Sequence, residues 1–353
     1  MKPWEANIRK VVPYTPGEQP NESGMIKLNT NENPYSPAPG VEKALKALDT
    51  DTLRLYPDPT AGDLVHSIAA FYGLKDEQVF TGVGSDDVLA MCFLTFFNSE
   101  KPILFPDITY SFYDVWADLF RIPYERPALD EEFHIRKEDY FRENGGIVFP
   151  NPNAPTGVEM PLSEIEEIVA KNPESIVIVD EAYVDFAGPS ALELLDKYEN
   201  LLVVQTFSKS RSMAGMRIGF AMGHPDLIRA LNDVKYSYNS YTMNLPSLLA
   251  GVEAVKDKEY FEKTIEKIVA TREHAKKRLT ELGFTFPNSQ SNFIFASHKS
   301  VPAEKIFEAL KKEQIYVRYF KTPGLDNSLR ISIGTDEEMD TLFRFLEAYL
   351  PNA

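Results

Sequence analysis

The sequence of 353 residues has little cysteine and histidine: one Cys, Cys92, and five His. One cysteine excludes a disulfide framework within the chain, and its apolar surroundings, VLAMCFLTFF, indicate a buried core residue. The histidines form no HxxxH or His/Cys spacing, so we expect no metal site. The chain also lacks a long apolar run and an apolar signal core, which predicts a cytoplasmic protein without membrane partners.

Positive charge is scarce. The chain has 37 Lys and Arg against 53 Asp and Glu, a formal net charge of −16. Such a charge opposes non-specific binding to nucleic acid, so we expect no nucleic-acid partner. If the substrates are small anions, local arginines and helix starts must attract them against the overall field.

Buried strand patterns alternate with helical patterns over the first two thirds of the chain. Alternation of this kind predicts an α/β fold, with a mainly parallel sheet covered by helices on both faces. Ligands of such sheets bind at the carboxyl ends of the strands. Residues that follow a predicted strand are Ser85, Tyr110, Asn153, Asp180 and Lys209.

Composition divides the chain into three parts. Residues 1–35 are rich in Pro, Gly and Asn, which predicts an extended arm lying across another surface. Residues 36–250 carry the strand and helix alternation and are predicted to form the large domain. Residues 251–353 are predicted to form a smaller α+β domain, entered through a long, charged helical stretch.

Local signals predict where several elements begin. After the strand QVFTG, Ser85 is expected to cap a helix whose first N–H groups form an anion site suited to phosphate. Ser163 and Glu166 have the spacing of a capping box. Met216, Ile218 and Phe220 alternate with other residues, which predicts a strand over that stretch.

Lys209 lies between two apolar strand patterns, VVQTF and the stretch ending in Phe220. One interpretation is a solvated loop lysine, because lysines are mostly exposed. The other is an amine sufficiently desolvated to act as a nucleophile toward a carbonyl group. The stretch alone leaves both interpretations open.

An ordered set of motifs resembles the fold-type I aminotransferases that use pyridoxal phosphate, in particular the histidinol-phosphate aminotransferase family. The resemblance covers nearly the whole chain and rests on PYTPGE, LNTNENP, RLYPDP, GSDD, NPNAPTG, DEAYVDF, TFSKSRSMAGMRIG, SNFIF, YVR and LRISIG. It implies a three-layer α/β/α large domain, a smaller α+β domain and a homodimer with shared active sites.

The resemblance also implies roles around the coenzyme. Lys209 would hold it covalently and then move the α-proton of the substrate, while Asp180 would pair with the pyridinium nitrogen. Asn153 and Tyr183 would hydrogen-bond its phenolic oxygen, and Tyr110 would stack on its ring. The implied phosphate ligands are Ser85, Asp86, Ser208, Arg217 and, from the partner subunit, Tyr56.

The substrate side follows from the same resemblance. Arg330 matches the residue that binds the carboxylate of glutamate, or the phosphate of histidinol phosphate. Other implied substrate contacts are Arg318, Tyr14 and Asn31. The expected reaction, a step of histidine biosynthesis, converts histidinol phosphate and 2-oxoglutarate to imidazole-acetol phosphate and glutamate.

Three alternatives accompany this interpretation. An aromatic amino-acid aminotransferase is favoured if the substrate pocket contains Tyr319 and the tyrosine cluster Tyr236, Tyr238 and Tyr241. A decarboxylase of phosphorylated amino acids would share the lysine and the aspartate. A non-catalytic, coenzyme-binding regulator is disfavoured because the chain is acidic.

Overall fold

The computed structural model describes residues 2–353, which form twelve strands and ten α-helices. The strands are β1 (Ile26–Leu28), β2 (Val79–Gly82), β3 (Ile103–Leu104), β4 (Tyr124–Glu125), β5 (Ile147–Pro150), β6 (Val177–Asp180), β7 (Leu201–Thr206), β8 (Gly219–Gly223), β9 (Phe284–Thr285), β10 (Phe293–His298), β11 (Ile315–Tyr319) and β12 (Leu329–Ser332). The helices are α1 (Pro39–Lys46), α2 (Gly62–Tyr72), α3 (Ser85–Phe96), α4 (Phe112–Phe120), α5 (Leu162–Lys171), α6 (Pro225–Tyr238), α7 (Leu245–Lys256), α8 (Lys258–Glu281), α9 (Ala303–Lys312) and α10 (Asp336–Tyr349).

The larger sheet has seven strands in the order β2-β8-β7-β6-β5-β3-β4. All pairings are parallel except those of β8, which runs antiparallel to both of its neighbours. Its central strands are buried on both faces, so Val177 and Val179 join one apolar core and Ile178 joins the other. Helices α1, α2, α5 and α7 cover the first face, and α3, α4 and α6 cover the second. The predicted three-layer α/β fold is confirmed.

The smaller sheet has five strands in the order β1-β11-β12-β10-β9. Helices α8, α9 and α10 pack on it around a third apolar core. Strand β1 comes from the segment predicted to be an arm, and it pairs in parallel with β11. Pairing satisfies the backbone donors and acceptors of residues 26–28, which is why this part of the segment is a strand. The three-part division of the chain stays a prediction.

Three predicted element boundaries are wrong. Ser85 is the first residue of α3, and Gly84 with φ 86° is the cap. Helix α5 starts at Leu162, so Ser163 lies inside it and forms no capping box. Strand β8 starts at Gly219, because the chain makes a short 3-10 turn over 214–216 and Arg217 is left-handed, with φ 52°.

The long helical stretch of the second half is interrupted. Asp257 ends α7 and caps α8, accepting a hydrogen bond from the Tyr260 N–H at 3.1 Å. The stretch predicted to be helical therefore consists of two helices, because a side-chain acceptor at the junction satisfies one of the first donors of the second helix. Within residues 2–353, none of the helices combines the length and apolar character needed to span a bilayer.

Candidate active site

A cavity of about 410 Å³ lies between the carboxyl edge of the seven-stranded sheet and the five-stranded sheet. It contains every predicted site residue except Asn153 and Tyr56. The predicted residues in its lining are Tyr14, Asn31, Ser85, Asp86, Tyr110, Asp180, Tyr183, Ser208, Lys209, Arg217, Arg318 and Arg330. A more open cleft of about 710 Å³, between Glu131 and Phe295, contains none of them. The chemistry-bearing side chains therefore converge on the smaller cavity.

Lys209 follows β7 and points its amine into this cavity. Its Nζ donates a hydrogen bond to the Thr30 carbonyl at 3.1 Å and lies 5.8 Å from the centre of the Tyr183 ring. The hydroxyl of the next residue, Ser210, donates a hydrogen bond to the Asp185 carboxylate, and the Ser210 backbone carbonyl accepts one from Asn33 Nδ2 at 3.1 Å. The loop around Lys209 is therefore held by two other segments of the chain.

Asp180 ends β6, next to β7 in the sheet, and is 4% exposed. Its carboxylate accepts the Tyr113 hydroxyl at 2.8 Å and the Ala182 N–H at 3.2 Å. Burial raises the pKa of Asp180 to about 6, and the Asp86 charge adds to this, although the two hydrogen bonds oppose it. A cationic ring nitrogen beside this carboxylate would lower the pKa again.

Three segments meet at the start of α3. Asp86 accepts the Tyr110 hydroxyl at 2.7 Å and Arg217 Nη2 at 3.1 Å. A Cβ on Gly84 would lie 2.4 Å from Arg217 Nη2, so only glycine allows this approach. The first N–H groups of α3 and the guanidinium of Arg217 together offer hydrogen-bond donors to an anion beside the cavity.

Asn153 does not line the cavity. Its Nδ2 donates to the Ile108 carbonyl at 3.0 Å and to Thr156 at 3.1 Å, and its Oδ1 accepts from Thr109 at 3.1 Å. The amide thus joins the turn after β5 to the segment that carries Tyr110. Its predicted contact with the coenzyme stays a prediction.

Tyr56 lies outside the cavity. Its side chain is 81% exposed, and its ring packs against Tyr241 with centroids 4.6 Å apart. Because its predicted role is to complete the site of a second subunit, an outward position within one chain agrees with that role. The role itself stays a prediction.

Arg318 and Arg330 face the cavity from the five-stranded sheet. They are directly opposite in the antiparallel pair β11 and β12, so their side chains lie on the same face. Arg330 donates Nη2 to the Asn29 carbonyl at 3.1 Å, while its buried Nε has no hydrogen-bond partner among residues 2–353. Burial lowers the pKa of Arg330, and the Arg318 charge contributes in the same direction. Two neighbouring cations with unused donors favour an anionic ligand.

Tyr183 and Asn31 connect the two walls of the cavity. Asn31 Nδ2 donates to the Tyr183 hydroxyl at 2.9 Å, and the Asn31 N–H donates to Ser332 Oγ at 2.9 Å. Asn31 itself has a left-handed backbone, with φ 56°, which asparagine tolerates better than most residues. The segment of β1 and its following turn therefore aligns the two sheets.

Sequence reasoning missed Tyr113, which supports Asp180 from behind the cavity, and Glu32, which lines the cavity. Tyr113 looks like a core residue of an amphipathic helix, and no sequence signal links it to Asp180. Glu32 lines the cavity and is hydrogen-bonded by Lys27 and by Thr30 Oγ1, the latter at 2.8 Å. Burial raises the pKa of Glu32, but these hydrogen bonds outweigh burial and bring the pKa below its ordinary value. The dense Asn and Glu content of LNTNENP was the available signal.

The residues present fit pyridoxal phosphate. Asp180 offers a buried carboxylate to a cationic ring nitrogen, and Lys209 offers an amine in the same cavity. The start of α3 and Arg217 offer donors to a phosphate, and Tyr110 offers an aromatic face. These groups come from different strand ends, so the sheet fixes their mutual positions.

Comparison with known proteins agrees with this geometry. The fold is that of histidinol-phosphate aminotransferase from Sinorhizobium meliloti, solved in complex with pyridoxal-5'-phosphate, with a TM-score of 0.83, 23% identity, and coverage of 93% of this chain and 90% of that chain. The sequence model of the family "aminotransferase class I and II" matches residues 23–346, and the chain belongs to this family.

Particular relatives are more similar in sequence. The chain is 50% identical over 345 residues to histidinol-phosphate aminotransferase of Brachyspira hyodysenteriae, covering 98% of each protein. It is 49% identical over 349 residues to the protein of the same name from Lactococcus lactis, covering 99% of this chain and 98% of that relative.

Proposed function

We propose that this enzyme transfers an amino group between L-histidinol phosphate and 2-oxoglutarate, with pyridoxal phosphate as coenzyme. The observation that carries the proposal is the placement of Lys209 and Asp180 at adjacent strand ends in a cavity that also contains Arg318 and Arg330. The near full-length similarity to histidinol-phosphate aminotransferases supports the substrate.

Bound pyridoxal phosphate supplies an electron sink for the negative charge that develops when the substrate loses its α-proton. Asp180 keeps the ring nitrogen protonated, because a buried carboxylate is stabilised by an adjacent cation. The Lys209 amine takes up the α-proton of the substrate and donates it to C4′ of the coenzyme. The Thr30 carbonyl accepts a hydrogen bond from the free Lys209 amine, which keeps the amine inside the cavity.

The remaining coenzyme contacts follow from the available donors. The Tyr183 hydroxyl already accepts from Asn31, so its own proton is free to be donated to the phenolic oxygen of the coenzyme. The phosphate is bound by backbone N–H groups at Ser85 and Asp86, by the Ser208 hydroxyl and by Arg217. Tyr110 covers one ring face, and its hydroxyl bond to Asp86 fixes its orientation.

The arginine pair explains how one pocket accepts two different substrates. Glutamate carries an α-carboxylate and histidinol phosphate carries a phosphate, and either anion can bind the planar fork of Arg330. Arg318 on the neighbouring strand adds a second cation. Tyr14 and Asn31 complete this part of the lining.

We also propose a homodimer in which Tyr56 reaches the phosphate in the partner subunit. Eight of the twelve exposed large apolar side chains fall between Leu45 and Tyr56 or between Tyr236 and Leu249. Packing of Tyr56 on Tyr241 joins the two stretches. An apolar surface of this kind fits a second copy of the chain. The cytoplasmic location stays a prediction.

The aromatic alternative has less support from the geometry. Tyr319 packs against Phe307 with ring centroids 5.6 Å apart, and Tyr236, Tyr238 and Tyr241 are exposed. None of the four lines the cavity. They therefore offer no pocket for an aromatic side chain within this subunit.

Parallel assays test the substrate. The rate with glutamate and imidazole-acetol phosphate is compared with the rate with glutamate and phenylpyruvate, each as kcat/KM. We expect the phosphorylated substrate to be preferred. A much larger kcat/KM for phenylpyruvate would establish the aromatic alternative, and release of carbon dioxide from threonine phosphate would establish the decarboxylase.

Chemical labelling tests the coenzyme site. Borohydride reduction of the coenzyme-loaded protein should fix a pyridoxyl mass on the peptide that contains Lys209. Recovery of that mass on any other lysine, in protein that remains active, contradicts the assignment.

A further inference from the structure

Lys235 is a buried lysine that the proposed reaction does not use. It lies on α6, is 3% exposed, and donates Nζ to the Pro59 carbonyl at 2.9 Å. Its ammonium group lies 5.9 Å from the centre of the Phe80 ring and 5.1 Å from that of Tyr236. A lysine amine is strongly hydrated in water, so this burial needs compensation from the surrounding groups.

The compensating groups come from two segments beside the coenzyme site. Burial lowers the pKa of Lys235, and the carboxylates of Asp58 and Asp87 oppose that change. Asp58 belongs to the loop before α2 and accepts the Gly62 N–H at 2.7 Å. Asp87 belongs to the first turn of α3 and accepts the Val83 N–H at 2.9 Å. Through its contacts with Pro59 and Phe80, Lys235 thus lies between the loop 56–60 and β2, the strand that leads into that turn.

The loop 56–60 is joined to the start of α2 by the Asp58 carboxylate, which accepts the Thr60 N–H at 2.9 Å and the Gly62 N–H at 2.7 Å, and it is joined to α6 through Pro59. Tyr56 is 81% exposed and contacts Tyr241 on another exposed loop, so its direction depends on the residues that follow it. The Pro59 carbonyl has a second, longer contact with the Tyr236 hydroxyl at 3.5 Å. The ammonium of Lys235 is the stronger donor to this carbonyl, by distance and by charge.

We propose that Lys235 is a positioning residue: it holds the loop 56–60 against α6 and against β2, the strand that leads into the turn 83–87, so that Tyr56 can reach the coenzyme phosphate in a second copy of this chain. The inference rests on the proposed function, because it takes the coenzyme and the shared site from there. Lys235 does not line the cavity, so its effect on coenzyme binding would come only from the position of Tyr56.

The test compares pyridoxal phosphate with pyridoxal, which lacks the phosphate. Both are titrated into coenzyme-free wild-type protein and into Lys235→Met, and each Kd is measured from the absorbance of the bound ring. We expect Lys235→Met to weaken pyridoxal phosphate roughly tenfold, the size of one charge-assisted hydrogen bond, and to leave pyridoxal unchanged. The matched control is Arg229→Met, which removes an exposed cation of the same helix that pairs with Asp226 at 2.9 Å.

A second comparison isolates Tyr56. Tyr56→Phe should weaken pyridoxal phosphate in the wild-type background and have little further effect in Lys235→Met, because the positioning is already lost. Fully additive losses, or an equal weakening of pyridoxal and pyridoxal phosphate by Lys235→Met, overturn the inference. If Lys235→Met does not fold, Lys235→Gln is measured by the same ratio of the two Kd values, and an unchanged ratio again overturns it. Absence of pyridoxal phosphate binding by the wild type contradicts the proposed function instead.

Discussion

The two walls of the cavity differ in how their charged side chains are satisfied. On the wall formed by the seven-stranded sheet, Asp180 and Asp86 each accept two hydrogen bonds from the protein. On the wall formed by the five-stranded sheet, Arg330 makes one bond to a backbone carbonyl and has a buried Nε without a partner.

This difference suggests that the first wall binds the coenzyme and the second wall binds the substrate anion. Groups that are already hydrogen-bonded do not reorganise when the coenzyme binds, so the first wall is a preorganised frame. A buried donor without a partner is unfavourable until a ligand supplies an acceptor. The second wall therefore gains most from the substrate anion, and variants on the two walls should fail in different ways.

Replacement of Lys209 should have the largest effect and should separate chemistry from binding. We expect Lys209→Ala to lower kcat by at least about 10²–10⁴-fold, the usual contribution of a general base. The variant should still bind 2-oxoglutarate, because Arg318 and Arg330 are unchanged. The measurement is kcat for amino transfer, with binding of 2-oxoglutarate followed by calorimetry. The control is Lys171→Ala at the end of α5, and a similar loss in that variant would contradict the assignment.

Replacement of Arg330 should affect the substrates rather than the coenzyme. A hydrogen bond to a charged group contributes about 1.5–3 kcal/mol, so Arg330→Met should raise KM for glutamate and for histidinol phosphate roughly 10–100-fold. Arg318→Met should give a smaller increase, because the buried donor without a partner belongs to Arg330. Steady-state kinetics with both substrates provide the check, and unchanged KM for glutamate would mean that another residue binds its carboxylate.

The pH dependence of stability should distinguish Asp180 from its neighbour. The folded protein holds the Asp180 proton more tightly than the unfolded chain does, because the pKa rises from 3.8 to about 6. The contribution of this proton to stability is therefore fully present below about pH 4 and is lost as the pH rises through 6. Relative to Asp180→Asn, coenzyme-free wild type should lose on the order of 3 kcal/mol of unfolding free energy between pH 4 and 7.

Glu181 is the matched control for this experiment. It is also buried, its pKa is raised to about 7 by burial, and it accepts bonds from Ser190, Ala191 and Gln205 away from the cavity. The contribution of Glu181 to the unfolding free energy depends on pH with the same sign. Added coenzyme should reverse the pH dependence only for Asp180, because the pyridinium charge lowers the pKa of Asp180 alone. Urea unfolding at several pH values, with and without coenzyme, measures both. Equal responses of the two residues to coenzyme would contradict the pairing of Asp180 with the ring.

Removal of the Tyr113 hydroxyl should have the smallest effect. Tyr113→Phe deletes the donor to Asp180 at 2.8 Å, which raises the Asp180 pKa further and should weaken coenzyme binding by up to about tenfold. Tyr140→Phe is the control, because the Tyr140 hydroxyl is buried without a hydrogen-bond partner. Coenzyme titrations of the two variants measure the difference, and equal Kd values would show that Tyr113 only fills space.

The fold and four of the cavity residues were predictable from local patterns. Ser85, Tyr110, Asp180 and Lys209 each follow a predicted strand, whereas the other predicted cavity residues were implied only by the family resemblance. Buried strands read as short apolar runs, and polar residues at their ends, such as Asp180 and Lys209, must meet at one sheet edge. The partners Tyr113 and Thr30 were not predictable, since they depend on contacts between segments far apart in sequence. The start of α3 was misplaced because Gly84, not Ser85, precedes the helix; the close approach of Arg217 to Gly84 depends on a segment far away in sequence and has no local signal.

The reversed direction of β8 has a consequence for how this sequence can vary in length. Because β7 runs toward the cavity edge and β8 runs away from it, Lys209 and Arg217 belong to one continuous loop at that edge. In a parallel sheet a crossover helix would separate them. An insertion or deletion between them would change the distance between Lys209 and Arg217, the residues proposed to hold opposite ends of the coenzyme. We therefore expect this loop to tolerate substitutions far better than changes of length.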